Sequence, residues 1–139
     1  MLHKLFMLLL CFGLISSSAL ADSKAPWGHA QVTPTEYKPM KVVYDVTSGD
    51  AGELTHVLDR ASYMSKITGA DPFEQSIVLV LHGASPGLFA IENYSQYKEL
   101  QTRAQSLTVG GVIQIKMCKL AAEGQGFKPG DIHGFVEMV

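Results

Sequence analysis

The sequence of 139 residues has few cysteines and no marked excess of charge of either sign. Its two cysteines cannot build the disulfide framework of a small secreted mini-protein. The net charge of −2 provides no basic surface, so we predict no nucleic-acid partner. The Walker, dinucleotide-binding and G-x-S-x-G motifs are missing, which argues against nucleotide hydrolysis, dinucleotide-dependent oxidoreduction and serine hydrolase chemistry. No motif indicates a cofactor, and we predict none.

The first 21 residues have the three-part pattern of a secretory signal peptide. His3 and Lys4 form a positive start, an apolar run covers residues 5–15, and an A-x-A cleavage site ends at Ala21. The apolar run is shorter than the about 20 residues that a membrane-spanning helix needs. We therefore predict cleavage after Ala21, export to a bacterial periplasm, and no membrane span once the signal is removed.

The rest of the chain is predicted to form an extended lead-in over residues 22–40 and one α/β domain over residues 41–139. The lead-in carries three prolines and no periodicity. Runs of β-forming residues predict four strands, and apolar stripes at helical spacing predict two long helices between them. Asp50 and Ser95 are the predicted N-caps of those helices. The order indicates a three-layer α/β/α sandwich with a mainly parallel sheet, flavodoxin-like in outline, with helices on both faces. The predicted strands cover 41–47, 76–82, 112–118 and 132–139, and a short helix or turn covers 119–124.

Polar or reactive residues follow the first three predicted strands. Ligands of open parallel sheets bind beyond the carboxyl ends of the strands, so these residues are expected to share one rim. We predict that the loops after the first two strands, together with a lysine after the third, bind a ligand. The candidate binding residues are Ser48, Gly49, Asp50, Gly83, Ala84, Ser85 and Lys119.

Cys118 is the first candidate catalytic residue. Signal removal takes away Cys11 and leaves Cys118 as a lone thiol in an oxidising compartment, where it is buried, paired between chains, or reactive. It precedes a possible helix start, and Lys116 and Lys119 add positive charge, both of which favour a thiolate. The alternative is a buried structural cysteine.

His82 is the second candidate catalytic residue. It could take a proton from a thiol or hold a substrate oxyanion, or it could be a structural histidine bonded to the next turn. Asp45 could orient His82 or a ligand, or could cap a neighbouring loop. A metal site using His82, Cys118 and Met117 is a further alternative, but no C-x-x-C or H-x-x-x-H spacing supports it and we predict no metal ligands.

Three segments resemble the DsrE/DsrF-like family, in particular its exported members. They are residues 41–46, 77–83 and 115–118, and the likeness covers about residues 37–139. The last segment is the most specific, because some family members use a cysteine at that strand end as a sulfur carrier. The resemblance implies an α/β/α sandwich with a parallel sheet, frequent homo- or hetero-oligomers, and sulfur relay through a cysteine persulfide. Only Cys118 matches the sulfur-carrying position, while His82 and Gly83 match a loop at the site.

The resemblance therefore predicts a periplasmic sulfur-relay or thiol-redox protein, expected to be a homo-oligomer, with a donor or acceptor protein or a small sulfur compound as partner. Whether it is an enzyme is left open. Family chains usually continue with a helix and a further strand, so the domain is expected to be shortened at its C-terminus. The alternatives are a non-enzymatic module that binds a small ligand or a partner, and a metal-binding protein.

Overall fold

The computed structural model describes residues 28–139. The predicted signal peptide lies outside the described residues. Contacts divide the chain into two units, residues 1–34 and 35–139. The described part of the first unit, residues 28–34, is exposed and forms no helix or strand. In the second unit, regular structure begins at Lys41.

The second unit alternates strands and helices in the predicted order. Asp50 caps the first helix as predicted, because its Oδ1 accepts a hydrogen bond of 2.8 Å from the backbone N–H of Glu53. Gly69 follows that helix with a φ of 95°, a left-handed conformation that favours glycine. The elements are β1 (Lys41–Val46), α1 (Ala51–Ile67), β2 (Ser76–Leu81), two 3-10 turns (Pro86–Phe89 and Ile91–Asn93), α2 (Tyr94–Thr108), β3 (Ile113–Met117), α3 (Lys119–Gly124), a third 3-10 turn (Pro129–Asp131) and β4 (Val136–Met138).

The strands form one parallel sheet in the order β1-β2-β3-β4. The sheet and its helices confirm the predicted α/β class, and residues 41–139 supply the sheet and one helical layer of an α/β/α sandwich. The apolar strand β2 lies between β1 and β3, which explains why its sequence is an uninterrupted run of apolar residues.

Both long helices pack against the same face of the sheet. They contact each other and β3, and alternate residues of β2 and β3 are buried on that face. The strand order explains this arrangement. Each strand lies beside the one before it, always on the same side, and right-handed crossovers in one direction place every connecting helix on the same face of the sheet. Helices on both faces would require a reversal of strand order, which residues 41–139 do not contain. The buried strand residues are Ile77, Leu79, Leu81, Ile113, Ile115 and Met117.

The opposite face of the sheet, here called the open face, carries exposed or half-exposed side chains. Val43 is 68% exposed although it lies within β1. Charged residues lie beside the valines, and Lys116 pairs with Glu137 across β3 and β4 at 2.8 Å. The open face consists of Lys41, Val43, Asp45, Ser76, Val78, Val80, Gln114, Lys116 and Glu137.

Two local predictions were wrong. Ser95 lies inside the first turn of α2, whose N-cap is Asn93 and has no side-chain cap hydrogen bond. The fourth strand is shorter than predicted, because a 3-10 turn at Pro129–Asp131 precedes it and Ile132 forms an isolated antiparallel bridge with Ala90. The apolar residues near Ile132 therefore pack against the loop after β2 before the chain enters the sheet.

Candidate functional site

His82 and Cys118 are neighbours at the carboxyl rim of the sheet. The N–H of His82 donates to Val46 O at 2.9 Å, and the N–H of Cys118 donates to Leu81 O at 2.9 Å. Each residue therefore continues the hydrogen bonding between strands by one position beyond the end of its own strand. Neighbouring strands lie about 4.8 Å apart. Leu81 and Met117 are buried under the helices, and side chains alternate along a strand. His82 and Cys118 therefore both belong to the side of the open face.

Asp45 holds the ring of His82. Its Oδ1 contacts His82 Nε2 in a hydrogen bond, and the side chains of Asp45 and His82 are 71% and 37% exposed, respectively. The two residues come from β1 and the end of β2, on the same face of the sheet. A carboxylate can only accept, so Nε2 is the protonated nitrogen and Nδ1 is left for other contacts. This contact selects the orienting role among the alternatives for Asp45.

Cys118 is a free, half-buried cysteine. It is the N-cap residue of α3, has an extended backbone, and makes no side-chain cap hydrogen bond. The short helix after it was predicted correctly. Both nearby lysines are engaged by carboxylates, Lys116 with Glu137 at 2.8 Å and Lys119 with Glu123 at 3.7 Å. Each lysine therefore has a carboxylate partner other than the Cys118 thiol.

The polar side chains of the loop after β1 form hydrogen bonds at the start of α1. Ser48 Oγ accepts a hydrogen bond of 3.1 Å from the N–H of Asp50, and Asp50 in turn caps the helix. Gly49 lies against the second loop, since a Cβ at this position would be 3.0 Å from Ala84 O. The polar groups of this predicted binding loop thus have structural partners, while the loop itself remains exposed at the rim.

The loop after β2 is tied to the end of β1. The N–H of Ala84 donates to Thr47 O at 2.8 Å, and Gly83 adopts a left-handed φ of 58°. Ser85 is fully buried, with its Oγ at 3.1 Å from Val46 O and 2.8 Å from His82 O. Its hydroxyl supports the backbone beneath His82 and is not accessible to a ligand, contrary to the binding role expected for it.

A cluster that sequence reasoning missed lies beside β4. His133 Nε2 is 2.8 Å from Oε1 of Gln101, and Gln101 is only 1% exposed. The His133 ring stacks on Phe135 and meets the edge of Tyr94, with centroid distances of 5.7 and 5.8 Å. A signal was available, because Gln101 falls between Leu100 and Ala104 in the inward stripe of its helix.

Two absences can be stated for residues 28–139. No group of three or more side chains there could hold a metal ion. Met117 is fully buried on the helical face, so it cannot join His82 and Cys118 in the metal site considered from the sequence. Over the same residues, no helix is long and apolar enough to cross a membrane.

No family model and no curated protein matches this sequence. Among solved structures, the fold is similar to that of a protein of unknown function, MTH1491 from Methanobacterium thermoautotrophicum. The TM-score is 0.46 at 16% sequence identity, over 74% of this chain and 81% of the other.

Proposed function

We propose that the protein carries sulfur on Cys118, with His82 as the proton acceptor and Asp45 as the residue that orients His82. The observation that carries the proposal is the position of His82, held by Asp45 and next to Cys118 on adjacent strands. A thiol activated by an oriented imidazole is a general arrangement for sulfur nucleophiles. The half-buried thiol on the open side of the sheet is within reach of a small sulfur compound or a donor protein.

The transfer step is balanced without an external oxidant. The Cys118 thiol gives its proton to Nδ1 of His82, and the thiolate attacks the outer sulfur of a persulfide donor, R–S–S–H. A new S–S bond forms on Cys118 while the S–S bond of the donor breaks. The donor leaves as a thiolate, which takes up the proton held by His82. Delivery to an acceptor thiol reverses these steps.

Mass spectrometry after exposure to a low-molecular-weight persulfide tests this proposal. The intact protein should gain the mass of one sulfur atom, about 32 Da, in a form that a reducing thiol removes. Cys118→Ser should gain none. If the wild-type protein gains no sulfur while its thiol is shown to be reduced, the sulfur-carrier function is wrong.

Asp45→Asn tests the role of the pair. We expect the rate of sulfur loading to fall about fivefold, because a neutral amide oxygen accepts from Nε2–H more weakly than a carboxylate does, with the final extent of loading unchanged. Asp59→Asn is the matched control, because Asp59 is also an exposed, paired carboxylate, but it lies on α1 and pairs with Arg103 of α2. Equal rates for the two variants would remove Asp45 from the mechanism.

A second candidate function is a non-enzymatic binding module. It is favoured by a small apolar strip on the open face, formed by Val43 and Val78. Val43 is exposed and lies beside the half-buried Val78 of β2. In this case Cys118 only packs, and association of copies of the chain uses the strip. Sedimentation velocity should then show an oligomer that Cys118→Ser preserves and Val43→Lys dissociates. A monomeric wild-type protein would exclude self-association as this module's function.

Export to the periplasm is proposed from the sequence. Expression of the full chain in a bacterial host, followed by fractionation and N-terminal sequencing, should recover a periplasmic protein that begins at Asp22. Recovery of the uncleaved chain from the cytoplasm would contradict it.

A further inference from the structure

A cleft beside β4 is formed by aromatic and polar side chains of α2 and of the segment that leads into β4. Its volume is about 320 Å³, near the lower end of the range for small-molecule pockets. It contains no Lys, Arg, Asp or Glu side chain. Its lining residues are Tyr94, Gln101, Thr102, Gln105, His133 and Phe135.

Gln101 determines the tautomer of His133. The buried Gln101 amide lies 2.8 Å from Leu88 O and 3.4 Å from Ala90 O, and carbonyl oxygens only accept hydrogen bonds. The amide atom that faces them is therefore the NH₂ group, and the remaining oxygen faces His133 Nε2. That oxygen is also only an acceptor, so His133 carries its proton on Nε2 and leaves a lone pair on Nδ1.

The rings around His133 hold it in place. Phe135 stacks on the imidazole with an interplanar angle of 18°, and Phe135 itself meets the fully buried Phe89 edge-on at 5.9 Å. Tyr94 is 41% exposed and approaches His133 from another side at 67°. Within residues 28–139, the side chain of His133 makes no hydrogen bond besides that to Gln101. Nδ1 is therefore an acceptor without a protein partner on a rigid aromatic wall.

We propose that this cleft binds a neutral, planar aromatic molecule that carries one N–H or O–H donor. The donor bonds to Nδ1 of His133, and the ring packs against Tyr94 and Phe135, whose faces favour aromatic partners. The absence of charged lining groups favours a neutral ligand, because nothing there compensates the desolvation of a charge. The site is separate from the proposed sulfur carrier and does not depend on it.

Indole and 1-methylindole are suitable probes, since they differ only at N1, where a methyl group replaces the N–H donor. Side-chain ¹⁵N NMR of the full chain should first show His133 as the Nε2–H tautomer, and the Nδ1–H tautomer would overturn the proposal. Titration with indole should then move the His133 and Phe135 signals saturably. 1-Methylindole should bind about three- to tenfold more weakly, the ratio that one hydrogen bond gives. Equal binding of the two probes, or no saturable shift with indole, would contradict the proposal.

Two variants locate the binding. Thr102→Trp should fill the cleft and abolish the indole shifts, whereas Ser106→Trp, one turn later on the same helix and outside the cleft, should not. His133→Phe keeps a ring but removes the acceptor, so the folded variant should bind the two probes equally. Persistent binding by Thr102→Trp would place the probe elsewhere and refute this site, whether or not His133→Phe folds.

Discussion

Replacing Gly83 by alanine should lower the free energy of unfolding by more than the cost of the left-handed backbone conformation alone. Gly83 has a φ of 58°, and an added Cβ would lie 2.8 Å from Thr47 O. The left-handed conformation costs a non-glycine residue about 1–2 kcal/mol, of which about 0.4–1 kcal/mol is regained because alanine restricts the unfolded chain. The overlap with Thr47 O cannot be relieved by a side-chain rotation, so the end of β1 must move.

That movement adds the cost of overpacking, about 1–3 kcal/mol, and strains the 2.8 Å hydrogen bond from Ala84 to Thr47. We expect a total of about 2–4 kcal/mol in the free energy of unfolding, measured by urea denaturation with an unchanged m value. Gly126→Ala is the matched control, because Gly126 has a φ of 88° but no atom within 4 Å of its added Cβ. It should cost about 1 kcal/mol or less. Equal losses for the two variants would show that the close approach of the two rim loops does not constrain the fold.

Three further predictions concern packing, capping and buried polar groups, all measured by urea denaturation. Leu79→Ala should cost about 3–5 kcal/mol because Leu79 is fully buried in the central strand, whereas a loss under about 1 kcal/mol would contradict its place in the core. Asp50→Ala should cost about 1 kcal/mol by removing the cap of α1, and an unchanged midpoint would mean that the cap is not formed. Gln101→Leu should cost about 1–3 kcal/mol, since it leaves Leu88 O without its buried donor while Ala90 O keeps the N–H of Asn93, and a stabilised variant would refute that network.

Much of the local structure could be predicted because it depends on near neighbours in the chain. The apolar run at residues 77–81 predicted a buried strand, and β2 has that place in the sheet. Asp50 predicted the start of α1 because its carboxylate needs only a backbone N–H three residues away. Ser95 failed as a predicted cap because the 3-10 turn at Ile91–Asn93 leads directly into α2. A 3-10 turn of this kind has no characteristic residue types from which the start of the following helix could be predicted.

The candidate site could be predicted in position but not in its contacts. The carboxyl ends of parallel strands must share a rim, so the sequence placed His82 and Cys118 on that rim but did not predict that they are neighbours. The contact of Asp45 with His82, 37 residues away, was one of several alternatives, and nothing in the sequence indicated that Lys116 pairs with Glu137, 21 residues away. Ser85 was expected to bind a ligand, but its hydroxyl faces the buried backbone beneath the site.

The sequence by itself determined the succession of strands and helices, the cap of the first long helix, and the place of Cys118 at a strand end. Each of these follows from the spacing of apolar residues along the chain or from interactions between residues a few positions apart. Only the tertiary structure decided the strand order, and with it the placing of both long helices on one face and the exposure of the other. It also decided that Gln101 meets His133. Such features depend on which distant segments pair, and local periodicity is the same for every order of pairing.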